Sequence, residues 1–248
     1  MSINVHEIGG LNTRVVDALP NGAKPTLAVI LCHGFGAPGT DLVGLGAEML
    51  EASAQLAATT RFYFPEAPLS LDRYGMWGGR AWWLIDFEAI QRAMEEGGFR
   101  ERARNERPDG MLEARAALLA MIEAVKADTG LPTSRIALGG FSQGSFLTVD
   151  VATQLAETPA ALISWSGTLM NEEEWRKLAP RHSGLKVVQS HGRQDPLLPY
   201  EWAEHLRDFM QQSGWQVEWL PFDGPHTISP DGLRGTIKLL ERVAQNKD

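Results

Sequence analysis

Residues 135–157 read RIALGGFSQGSFLTVDVATQLAE, and this segment limits what the chain can fold into more than any other. An apolar run, RIAL, is followed by G-x-S-x-G (Gly140 to Gly144) and then by a helical pattern without a breaker. A strand that becomes a helix over so few residues must turn very sharply. Side chains two before and two after the serine would collide across that turn, so both positions must be small. The serine is then thrust out above the strand end. The first amides of the following helix point at it and favour negative charge developing there. The segment therefore predicts a strand–turn–helix unit with Ser142 as candidate nucleophile. A tight turn with an incidental serine would use the same glycines, so the assignment needs partners elsewhere.

The rest of the chain repeats the alternation. Short apolar runs predict strands at 27–32 (LAVILC), 61–64 (RFYF), 135–138 (RIAL), 161–165 (ALISW), 186–189 (KVVQ) and 216–220 (QVEWL). Helical spacing predicts helices over 42–58, 112–128, 145–156, 172–178, 200–212 and 231–245, with Leu112, Ala116, Leu119, Ile122 and Val125 at helical spacing in the second. Residues 4–8 and 14–18 read as an antiparallel edge hairpin. Such alternation predicts an α/β fold: a mostly parallel, doubly wound sheet with helices on both faces. The length, 248 residues, suits a single domain over 1–248. Residues 70–109 break the pattern. They carry Trp77, Trp82 and Trp83 and then a charged stretch, too long for an ordinary connection, and read as an active-site-lining or cap-like segment.

Composition removes several function classes. The net charge is −8, which disfavours bulk attraction to nucleic acid or anionic lipid. The basic stretch FRERARNERP (99–108) interleaves Glu101 and Glu106 with its arginines and reads as a solvated loop or helix end. The single cysteine, Cys32, allows no intrachain disulfide. No secretory leader and no bilayer-spanning run are visible, so the expectation is a cytoplasmic protein without an integral membrane segment. No H-E-x-x-H or paired-cysteine spacing suggests a metal.

A serine hydroxyl needs a base to take its proton, and on this kind of turn the chain order is serine, acid, histidine. Among the histidines beyond Ser142, His205 lies in an amphipathic helix and His182 in an expected surface loop. His191 ends the strand KVVQSHG and comes before any later acid that could stand in the middle of that order. His226, in FDGPHTISP, follows the last strand and sits where the base belongs. Asp195, in SHGRQDPLLPY, lies beyond a strand's C-terminal end, where open α/β sheets build their sites. Asp223 is its rival, only three residues from His226 on the same loop.

Taken together, HGFGAPGTD (33–41), YFPEAP (63–68), SRIALGGFSQGS (134–145), HGRQDPLLP (191–199) and GPH (224–226) resemble the acyl-protein thioesterase / phospholipase–carboxylesterase family of α/β-hydrolases. The resemblance spans nearly the whole chain. It implies an α/β-hydrolase fold with Ser142 as nucleophile, Asp195 as orienting acid and His226 as base. It also implies an oxyanion hole from the amides of Phe35 and Gln143. The segment MWGGRAWWLID (76–86) resembles the family's loop beside the acyl site. Leu71, Met76, Trp77, Trp82, Trp83, Leu197 and Leu198 are then candidates to line an apolar acyl channel, with ordinary packing as the plain alternative.

The expected activity is that of a serine carboxylesterase acting on a small-molecule or lipid-like acyl ester, with no cofactor and no metal. Lysophospholipase or protein S-acyl thioesterase activity is the alternative, and a homodimer is left open. Ser145, where many members have another glycine, and the long charged stretch 87–108 depart from the family pattern. Three readings from other classes compete. Gly34, Gly36 and Gly39 spell G-x-G-x-x-G, as in a dinucleotide-binding loop, but only Glu66 is a tolerable ribose-binding acid. A non-catalytic binding module would be expected to lack a triad member. Cys32 as nucleophile would lack a glycine turn.

Overall fold

The structure is a computed structural model that describes residues 2–20, 23–86, 105 and 107–245. The segment 87–104, most of the basic stretch 99–108 and much of the expected cap lie outside the described residues. The central sheet is built from β1 (Ser2–Ile8), β2 (Leu11–Asp17), β3 (Leu27–Cys32), β4 (Thr60–Pro65), β7 (Ile136–Phe141), β8 (Ala161–Trp165), β9 (Lys186–Gly192) and β10 (Gln216–Phe222). A separate two-stranded pair is made by β5 (Leu69–Ser70) and β6 (Arg80–Ala81). The helices are α1 (Val43–Ala52), α2 (Ala54–Thr59), α3 (Met111–Thr129), α4 (Gln143–Gln154), α5 (Glu172–Leu178), α6 (Tyr200–Gln212) and α7 (Pro230–Gln245).

The strand order is β1-β2-β4-β3-β7-β8-β9-β10. The first hairpin is antiparallel and joins β4 antiparallel; from β4 to β10 every pairing is parallel. Strand periodicity explains how one run of apolar residues serves two cores. In β3 all six side chains are buried. Leu27, Val29 and Leu31 join the cluster under α1, α2 and α7, while Ala28, Ile30 and Cys32 join the one under α3, α4 and α6. A central parallel strand covered on both faces needs such an uninterrupted apolar run. The architecture is the mostly parallel, doubly wound sheet expected from the alternation, edge hairpin included, and it agrees with the α/β-hydrolase fold that the resemblance implied.

Three local expectations are corrected. The helix expected over 42–58 is broken at Ser53, whose backbone is extended and whose hydroxyl accepts from Leu56 N–H at 3.2 Å, capping a second helix. In α3 the buried face is Met111, Ala114, Leu118, Met121, Ile122 and Val125, whereas Leu112 is exposed. A stretch so rich in alanine and leucine offers two apolar stripes, and contact with α4 selects between them. His182 is buried in the turn after α5 rather than on a surface loop.

A polar network ties α4, the helix after the serine turn, to its neighbours. Arg115 of α3 donates to both oxygens of fully buried Asp150 (2.6 and 2.8 Å) and to Glu174 of α5 (3.0 and 3.2 Å). The Trp175 indole donates to Asp150 at 2.8 Å. The Arg115 bond, with those of Asn171 and Gln154, outweighs burial and draws the Glu174 carboxyl down to about 2. Removing one partner strands the other's charge. Asp150→Ala is therefore expected to cost about 3 kcal/mol of stability, read as a lower denaturant midpoint with an unchanged slope.

Candidate active site

The serine turn forms as its sequence requires. Ser142 has φ +54° and ψ −118°, a strained conformation for a residue with a side chain. Its neighbours over-determine it. Its amide donates to Trp165 O of β8 at 2.9 Å. A Cβ on Gly140 would stand 2.4 Å from the Gly144 carbonyl carbon, and one on Gly144 would stand 2.0 Å from the Cys32 carbonyl oxygen. Only glycine lets α4 start this close to the ends of β3 and β7.

The loop after β3 passes directly beside the serine: a Cβ on Gly34 would lie 3.3 Å from Ser142 Cβ. His33 sets the orientation of this loop. It is buried, and its Nε2 accepts from the Ala67 amide at 3.1 Å. Nδ1 therefore carries the proton and donates to Gly34 O at 2.8 Å. Burial holds the ring pKa below its ordinary value despite that bond. The Gly34 carbonyl and the Phe35 N–H belong to one trans peptide, so they point opposite ways. Pinning the carbonyl on His33 aims the Phe35 amide away from the ring. On the far side, Gly36 N–H donates to Arg80 O (2.8 Å) and Arg80 N–H to Ala37 O (3.1 Å).

Gln143 does two things. Its amide opens α4 next to Ser142, and its buried side chain clamps the aromatic segment. Its Oε1 accepts from Trp82 N–H (3.0 Å) and its Nε2 donates to Trp83 O (2.8 Å). The Trp82 indole donates to His33 O at 3.0 Å. Serine turn, His33 loop and tryptophan segment are thus cross-linked.

Asp195 and His226 meet across the ends of β9 and β10. Asp195 Oδ2 lies 2.6 Å from His226 Nδ1, and its Oδ1 accepts from the Leu197 and Leu198 amides, each at 2.9 Å. Burial works to raise the Asp195 pKa. The bonds from His226, Leu198 and Leu197 outweigh it and hold the carboxyl below its ordinary value. His226 packs at a tilt against Phe141, the residue before Ser142, with ring centroids 4.7 Å apart. The next residue's carbonyl, Thr227 O, accepts from the buried Ser166 hydroxyl at 3.2 Å. Asp223, the rival acid, is exposed and faces Arg193 at 3.5 Å.

The candidate lining residues divide. Leu71, Trp82 and Trp83 are buried, the two tryptophans within the core under α3 and α4. Leu198 is half-buried against the same core. Met76, Trp77 (85% exposed) and Leu197 (61%) are open, and Met76 Cε lies over Gly36. Cys32 is buried, and desolvation raises its thiol pKa far above the ordinary value, the opposite of what a nucleophilic thiolate needs. Glu66 is engaged by Arg14 at 2.5 Å and by Arg80 at 3.4 Å. Among the described residues no group of three or more His, Cys, Asp or Glu side chains is placed to hold a metal, and no helix is long and apolar enough to cross a membrane. Sequence reasoning passed over His33, Ser166 and the side-chain role of Gln143. The histidine that opens HGFGAPGTD, directly after an apolar strand, was the one signal available.

Residues 16–244 match the family model described as phospholipase/carboxylesterase. Acyl-protein thioesterase 1 of Neurospora crassa is 27% identical over 209 residues, covering 83% of this chain and 82% of that protein. Acyl-protein thioesterase 1 of Mycosarcoma maydis is 27% identical over 242 residues, covering 90% and 93%. The crystal structure of esterase PE8 superposes with a TM-score of 0.77 at 24% identity, covering 98% of this chain and all of the other.

Three buried histidines, His33, His182 and His191, have pKa values lowered chiefly by burial. A group whose folded pKa is depressed gives its full stability above the unfolded value and loses it as pH falls. The histidine contributions should therefore fade on acidification below about pH 6.5, with Asp195 adding to the loss below about pH 4. The expected outcome is a melting temperature that is level above neutrality and falls steadily toward pH 5. Scanning calorimetry over pH 4.5–8 checks it, and His33→Asn should shallow the slope.

Proposed function

This chain belongs to the phospholipase/carboxylesterase family, and on that footing we propose that it hydrolyses acyl esters or thioesters through an acyl-enzyme on Ser142. The observation that carries the reading is the short Asp195–His226 bond, held against the residue that precedes a strained serine. Function as a binding module would give no reason to maintain that strain.

In the proposed reaction His226 Nε2 accepts the Ser142 hydroxyl proton as Oγ bonds to the substrate carbonyl carbon. The carbonyl π pair moves onto oxygen, and the amides of Phe35 and Gln143 are the candidate donors to that oxyanion. Collapse expels the alcohol or thiol, which takes the proton from His226. Water then attacks the acyl-enzyme by the same route, releasing the carboxylic acid and restoring Ser142. Asp195 accepts from His226 Nδ1, so the unprotonated Nε2 faces the serine, and its charge favours the imidazolium that forms. Every proton and electron pair is accounted for by these groups and water.

Open apolar side chains at Met76, Trp77 and Leu197 favour an acyl chain on the substrate side. The names of the curated relatives favour S-acyl proteins as one source of it. We take residues 1–248 as one domain, because both apolar cores lie on faces of the same sheet.

A fluorophosphonate should label the wild type and leave Ser142→Ala unlabelled, as read by intact mass. Ser142→Ala should lose turnover, and Asp195→Asn should lower kcat by about 10⁴-fold. A chain-length series of p-nitrophenyl esters and matched acyl thioesters, compared as kcat/KM, separates esterase from thioesterase preference. Full activity in Ser142→Ala would overturn the reading.

A further inference from the structure

His191 takes no part in the mechanism above, yet it is fully buried beside the acid–base pair. Its Nε2 lies 2.8 Å from Leu198 O and 3.3 Å from Asp195 Oδ2. A carbonyl oxygen only accepts, so Nε2 carries the proton. The other nitrogen, Nδ1, is buried with no hydrogen-bond partner. Protonating it would place an unpaired N–H in the interior, and burial holds the ring pKa below its ordinary value. The ring edge-packs against Tyr200, with centroids 6.4 Å apart.

We propose that His191 is a positioning residue for Asp195: its neutral Nε2–H fixes the carboxylate that orients His226. It acts in two ways. The N–H faces Asp195 Oδ2, the same oxygen that pairs with His226. It also holds Leu198 by its carbonyl, while the Leu198 amide donates to Asp195 Oδ1 at 2.9 Å. One ring therefore supports both carboxylate oxygens. Three donors, the Leu197 and Leu198 amides and the His226 imidazole, bond the carboxylate, and the His191 ring closes its remaining side at 3.3 Å, so it has one available orientation. Because His191 stays neutral, it holds Leu198 and faces Asp195 without competing as a cation for the Asp195 charge. The inference rests on the Ser142–His226–Asp195 reading and adds to it a second imidazole that touches neither serine nor substrate.

The test compares His191→Leu, which removes the donor, with His191→Gln, whose amide can reach both oxygens. In His191→Leu, kcat toward a p-nitrophenyl ester should fall about tenfold, the value of one buried hydrogen bond, here the one that holds Leu198 against Asp195, with KM little changed. Asp195 Oδ2, no longer faced by the His191 N–H, should then favour the His226 imidazolium, and the acidic limb of the kcat/KM profile should move to higher pH. The other ionisable groups facing this cluster, Arg193, Tyr200 and Asp223, are unchanged in both variants. His191→Gln should recover most of kcat and return the limb toward its wild-type position.

A purely packing role predicts a lower melting temperature, an unmoved limb and no advantage for glutamine; that result would overturn the proposal. If His191→Leu does not fold, His191→Asn, which is too short to reach Leu198, takes its place against His191→Gln. The downfield proton resonance of the His226–Asp195 bond gives a readout that needs no turnover. It should shift in the leucine or asparagine variant and return in the glutamine variant. An unshifted resonance counts against the proposal, whereas activity that survives Ser142→Ala counts against the Ser142 mechanism.

Discussion

The strained backbone at Ser142 is the constraint on which the rest of the site depends. A positive φ at a serine persists only where its surroundings leave no alternative. Here Gly140 and Gly144 let α4 begin against the Cys32 carbonyl, and β8 takes up the Ser142 amide. That approach brings the end of β3, and with it the Gly34 loop, alongside the serine. The Arg115–Asp150–Glu174 network then anchors the same helix farther along. The fold holds α4 at both ends, with its N-terminal amide aimed at the candidate oxyanion position.

Around that turn the site is ordered by neutral polar groups rather than by exposed charge. His33 orients the Gly34–Phe35 peptide, the Gln143 side chain holds the tryptophan segment, and His191 supports Asp195. In each case a buried donor has a fixed acceptor, and a misplaced partner would leave a buried polar group unpaired, at a cost of about 1–3 kcal/mol. Such bonds restrict direction without placing a competing charge next to Asp195 and His226. Asp195 then remains the buried anion on which His226 is oriented.

The strand and helix pattern was legible because its causes are local. Apolar runs of strand length, glycines at fixed offsets and a serine between them read off the chain directly, and all six expected strands agree with the structure to within three residues at each end. The face of α3 was not legible, since both of its stripes are apolar and only the neighbouring α4 selects one. The break at Ser53 was hidden by a continuous helical pattern. The burial of Leu71, Trp82 and Trp83 was not legible either, because composition says nothing about which side of a loop faces the core.

By itself, then, the sequence determined the alternation of strands and helices, the serine turn with its obligatory glycines, and the order of candidate serine, acid and histidine. These follow from short-range sterics and from hydrophobic periodicity, which need only neighbours in the chain. Tertiary structure decided which acid meets His226. Sequence order and loop position already favoured Asp195 over Asp223; the parallel pairing of β9 with β10 brings the Asp195 loop to the His226 ring and leaves Asp223 in solvent beside Arg193. It also decided the work of His33, Gln143 and His191. A hydrogen bond depends on distance and direction between residues far apart in sequence, and only the folded sheet sets those.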